Sequence, residues 1–110
     1  MKDLNSLMKQ AQGLQAKMAE AQVKIGQTVN EGQAGGGLVK LRLTGEGVLL
    51  SLKIDDSLMV PGDAETVQDL VVAAHADAQA RLNMAREQIM KEALGPMAGL
   101  AGMPGFPGLT

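Results

Sequence analysis

Cysteine is absent from these 110 residues, tryptophan and tyrosine are absent too, and a single phenylalanine, Phe106, is the only aromatic side chain. Without cysteine there is no disulfide, no thiolate metal site and no cysteine nucleophile, which suits a reducing interior and makes the cytoplasm the default location. Without aromatics, a core must be assembled from Leu, Val, Ile, Ala and Met. These bury less area each, and so short a chain already exposes much of its surface, so help from a second chain is expected. A long apolar run is also missing. Nothing approaches the ~18 apolar residues of a membrane helix, and the N-terminal "MKDLNSLMKQAQ" lacks the continuous apolar stretch of a signal peptide. Excess positive charge is missing as well: ten Lys and Arg against twelve Asp and Glu leave a net charge of -2. No global field draws the chain to nucleic acid or to an anionic membrane, so any basic site must be local.

What is present reads as one α+β domain over residues 1–94, in the order α-β-β-β-α, followed by a tail at 95–110. Residues 2–25 contain no Pro and one Gly, and Leu4, Leu7, Ala11, Leu14, Met18, Ala21 and Ile25 recur at alternating spacings of three and four. That is a heptad seam, and it predicts an amphipathic helix that packs on another helix, with Met18 filling the core. Lys2, Lys9, Lys17 and Lys24 lie off the seam and only Asp3 and Glu20 oppose them, so the helix carries +2 within an acidic protein.

From Gly26 the period changes. A weak strand is expected at about 27–33, then a glycine run, then "LVKLRLT", with Val39, Leu41 and Leu43 on one face and Lys40 and Arg42 on the other. "GEG" turns the chain into "VLLSLKID", where Val48, Leu50, Leu52 and Ile54 are expected inward and Ser51, Lys53 and Asp55 outward. The result is a three-stranded antiparallel meander. A second helix is expected from Ala64 to Leu94, with Asp63 as N-cap and Glu65 in its first turn; Gly95-Pro96 stops it. Its stripe is Val67, Leu70, Val71, Ala74, Ala78, Leu82, Ala85, Ile89 and Ala93. The uncharged "GPMAGLAGMPGFPGLT" supports neither helix nor strand and reads as a flexible Gly-, Pro- and Met-rich tail.

Element lengths argue for a second copy. The helices should be ~36 and ~46 Å long at ~1.5 Å per residue, whereas a seven-residue strand covers ~23 Å. Both helices overhang the sheet with their apolar stripes continuing into the overhang. A homodimer with projecting helical arms would cover them.

No constellation for catalysis is visible, so the chain is read as no enzyme, with no cofactor, metal site or small-molecule substrate expected. Gly35 to Gly37 open a strand rather than a helix, and no Gly-Lys-Ser/Thr ending follows, so a turn needing positive φ, or one with no room for side chains, accounts for them better than a nucleotide cradle. His75 is the one histidine and cannot build a metal site alone. Asp55 and Asp56 read as turn residues whose side chains bond backbone. What remains is charge: Lys9, Lys17 and Lys24 on the first helix, with Arg81, Arg86 and Lys91 on the distal half of the second. Either these are solvated helix faces, partly neutralised by Glu87 and Glu92, or they are phosphate contacts that twofold symmetry would double.

Taken together, "LMKQAQGLQAKM", "GGGLVKLRLTGEG" with "LKIDDSL", and "DLVVAAHADAQAR" resemble the YbaB/EbfC family of bacterial nucleoid-associated proteins, in order and over nearly the whole chain. The resemblance implies a homodimer with a shared sheet platform and helices projecting like tweezers. It implies DNA as the partner, a change in DNA conformation on binding, and consequences for gene expression, nucleoid organisation and DNA protection. It places DNA contacts on the long helices, which here carry the two basic groups just named. A rival reading is a protein-interaction scaffold that uses the heptad helix and the apolar tail, with nucleic-acid binding incidental to surface charge.

Overall fold

The computed structural model describes residues 4–95. Helix α1 spans Leu4–Gly26; strands β1 (Val29–Ala34), β2 (Val39–Thr44) and β3 (Leu49–Ile54) follow, and helix α2 spans Ala64–Leu94. The strands form one antiparallel sheet in the order β1-β2-β3, the expected meander. The molecule extends over 75 × 27 × 17 Å, because the two helices are longer than the sheet they flank.

The alternation in β2 sets the core. Val39, Leu41 and Leu43 are buried and meet Ala74, Ala78 and Leu82 of α2, while Lys40 and Arg42 remain exposed. Burying each of these Val and Leu side chains stabilises the fold by ~1.5–3 kcal/mol. Small residues bring α2 close. A Cβ on Gly32 of β1 would collide with the Ala74 carbonyl and with the Ala78 backbone and side chain, so the absence of a side chain there lets the helix rest directly on the strand. Leu70 and Val71 pack at the edge of this cluster, as the expected α2 stripe requires.

The connections use local chemistry. Gly35–Gly37 forms a 3-10 turn in which all three glycines have positive φ, 64°, 68° and 95°, which is why the run is glycine. In the β2–β3 turn the Thr44 hydroxyl accepts the Glu46 and Val48 N–H groups at 3.2 and 3.1 Å. Between α1 and β1, Thr28 donates to the Ile25 carbonyl at 2.7 Å, and the buried Asn30 amide donates to Thr28 at 3.1 Å.

Several expectations need correction. Strand β3 does not bury Val48, Leu50 and Leu52: these are 54, 52 and 44% exposed, and only Ile54 is half-buried. Two features cause this. α2 lies over β1 and β2, and a bulge between Arg42 and Leu43 places Leu49, not Leu50, opposite Leu43. The α1 seam is buried only at Ala21 and Ile25; Leu4 and Leu7 are exposed, and Met18, expected in the core, is 39% exposed. Asp63 occupies the N-cap position of α2 without a side-chain capping bond. Asp55 accepts a hydrogen bond from the Ser57 hydroxyl at 3.3 Å rather than from backbone, within a 3-10 turn at Asp56–Leu58. Beyond Gly95, the tail expected at 95–110 lies outside the described residues.

Candidate nucleic-acid interface

Helix α1 carries Lys9, Lys17 and Lys24 against a single acid, Glu20, and all three lysines are exposed. At 3.6 residues per turn, Lys17 and Lys24 stand two turns apart, ~10.5 Å along the axis and within ~20° of one another. Lys9 lies ~60–80° around the helix from them. Lys17 and Lys24 line a groove between the helices together with Glu20 and Ala21 of α1 and Ile89, Glu92 and Ala93 of α2. Among the described residues the only ion pairs are Arg42 with Glu31 and Arg81 with Asp77, so no α1 lysine has a carboxylate partner there.

The second group is less concentrated. Arg81, Arg86 and Lys91 are exposed, yet spacings of five rotate each one ~140° from the last. They point in three directions rather than along one stripe. Arg81 is also engaged: its Nε lies 3.4 Å from Asp77 Oδ2. α2 carries five acids, Glu65, Asp69, Asp77, Glu87 and Glu92, so the helix is net negative. Its last-turn Lys91 sits where the helix dipole favours a cation. The basic arm of this chain is therefore α1.

Asp77 of α2 has a structural role that no motif in the sequence signals. It accepts the Gln33 backbone N–H from β1 at 3.0 Å, occupying a donor that an edge strand would otherwise present to solvent. That hydrogen bond holds its carboxyl below the usual carboxylate range, and the Arg81 guanidinium adds to the effect against partial desolvation. His75 is exposed. Among the described residues, no group of three or more His, Cys, Asp or Glu is placed to hold a metal ion, and no helix is long and apolar enough to cross a membrane.

The chain is 56% identical over 104 residues to a nucleoid-associated protein of Phenylobacterium zucineum, covering 94% of this chain and 97% of that relative. It is 54% identical over 107 residues to a nucleoid-associated protein of Hyphomonas neptunium, covering 96% of each. Among solved structures, an uncharacterized protein of Helicobacter pylori superposes with a TM-score of 0.71 at 27% identity, over 86% of this chain and 100% of that one. The profile of the YbaB/EbfC DNA-binding family matches residues 1–97, the α+β domain and the start of the tail. With that match, and with relatives above half identity over nearly their full length, the chain belongs to the YbaB/EbfC DNA-binding family.

Proposed function

We propose that this chain is a non-enzymatic nucleoid-associated protein that grips duplex DNA through its phosphates as a homodimer and alters the conformation of the duplex. The observation that carries this reading, given the family, is the charge of α1: a projecting helix with three lysines, one acid and no ion pair among the described residues. Lysines on such an arm contact phosphate and release counterions, and phosphate contacts position a protein without specifying sequence. Lys9, Lys17 and Lys24 form the principal contact set; Arg86 and Lys91 extend it, and Arg81 adds the guanidinium donors that Asp77 leaves unused. A second copy is supported by the exposed apolar side chains of Val48, just before β3, and of Leu49, Leu50 and Leu52 within it, since a monomer seldom leaves such a patch to water. Consequences for nucleoid organisation, DNA protection and gene expression follow from DNA binding. DNA and a second copy of the chain are the partners; no cofactor or small-molecule substrate enters this reading.

The test is a gel shift on random-sequence duplex at two salt concentrations, comparing the wild type with Lys9→Ala/Lys17→Ala/Lys24→Ala. Each phosphate that is no longer neutralised by a lysine lowers the salt slope of log K by ~0.9. An unchanged slope removes α1 from the interface. A partner protein that stays bound after nuclease digestion, with no binding to purified DNA, would favour the scaffold reading instead.

A further inference from the structure

The face of the sheet turned away from α2 carries cations that the helical arms do not include. Lys40 of β2 and Lys53 of β3 are direct cross-strand partners, so their Cβ atoms stand ~4.5–5.5 Å apart on one face. Like charges placed directly opposite one another destabilise a sheet. Neither lysine takes part in the ion pairs found among the described residues. Arg42 is two residues along β2 on the same face, and its pairing with Glu31 is long, 3.9 Å, with both side chains more than half exposed. The outward face thus sets Lys40, Arg42 and Lys53 against Glu31 of β1 and Asp55 just beyond β3, within an acidic chain.

These lysines also share a hollow. Lys40, Lys53, Gly37, Leu38 and Asp55 line a depression of about 250 Å³. Lys40 runs back over the glycine turn, since a Cβ on Gly37 would meet its Cε at 3.4 Å.

We propose that this hollow holds one backbone phosphate of duplex DNA between the Lys40 and Lys53 ammonium groups, a contact surface separate from the helical arms. The inference rests on the DNA-binding reading above and adds a site to it. A phosphodiester offers two anionic oxygens, one for each ammonium, and its charge relieves the repulsion that the register builds into the sheet. Asp55 opposes that charge and limits affinity. A contact to phosphate alone is independent of sequence.

The experiment measures fluorescence anisotropy on a random-sequence duplex over a salt series, with thermal melts of every variant. Lys40→Ala/Lys53→Ala is expected to bind more weakly, with a salt slope lower by ~0.9 and an unchanged or raised melting temperature. Lys40→Glu, which sets an opposite charge across from Lys53, is expected to melt higher and bind DNA more weakly. That opposite movement is one that structural damage does not produce. Asp55→Asn is expected to bind more tightly. If the wild type binds DNA and the double lysine variant keeps its affinity and slope, the phosphate site is overturned while the proposed function stands. If the wild type binds no DNA at low salt, both are overturned.

Discussion

The Gln33 backbone N–H donates to the Asp77 carboxylate at 3.0 Å, joining edge strand β1 to the helix that covers it across 44 residues of sequence. The same carboxylate meets Arg81 one turn further along α2. One side chain thus blocks a sheet edge and orients an arginine of a proposed DNA-contacting group.

The pH dependence of this bond has a defined sign. The Asp77 pKa is lowered in the folded chain from its ordinary 3.8, so the stabilisation is full above the unfolded value and is lost as pH falls through the folded one. Asp77→Asn keeps an acceptor and loses the charge. It is expected to melt below the wild type at neutral pH, and the gap should narrow as pH is taken below 3.8. Melts followed by circular dichroism across an acid series check this.

Gly32 is the position where α2 and the sheet approach most closely among the glycines that face the helix. Gly32→Ala must push the helix off the strand, and overpacking of this kind costs ~1–3 kcal/mol. Urea denaturation should show a lower midpoint. An unchanged midpoint would mean that α2 does not rest on β1 as described.

Leu82 is the largest buried side chain that α2 contributes to the core, 1% exposed. Leu82→Ala is expected to cost ~2–5 kcal/mol, because the rigid β2 face opposite it closes only part of the cavity. The same denaturation series, with the exposed Met84→Ala as a control, separates damage to the core from a general effect of substitution on α2.

The apolar side chains of β3 bear on the proposed homodimer. Leu50, the bulge residue, is 52% exposed, so Leu50→Asp leaves the chain's own core intact. Light scattering at micromolar concentration is expected to show the wild type as a dimer and this variant shifted towards monomer, with circular dichroism unchanged. A folded wild-type monomer would remove the dimer from the reading.

Periodicity is a dependable guide wherever neighbours within one element decide the outcome. The spacing of Leu70, Val71, Ala74, Ala78 and Leu82 locates the core-facing stripe of α2, and the alternation of Val39, Leu41 and Leu43 locates the core face of β2. In β3 the same alternation misleads twice: the bulge puts Leu49 rather than Leu50 opposite Leu43, and no local pattern reports whether anything covers the face. The heptad seam of α1 behaves similarly: Ala21 and Ile25 are buried while Leu4 and Leu7 are not, since burial depends on how far α2 reaches alongside. Of the proposed interface, the excess of lysine on α1 is legible in the sequence; the engagement of Arg81 by Asp77 is compatible with their spacing of four but becomes definite only in three dimensions.

Local spacing, local charge and short motifs suffice for the element order, the core faces of α2 and β2, the basic character of α1 and the family. Only the tertiary structure decided that α2 sits on β1 and β2 and leaves β3 bare. It alone placed the bulge at Leu50, opposite Arg42 and Leu43, set Lys40 across from Lys53 and brought Asp77 to Gln33. Those are pairings between residues distant along the chain, and they depend on the register and the crossing of whole elements, which no local pattern encodes.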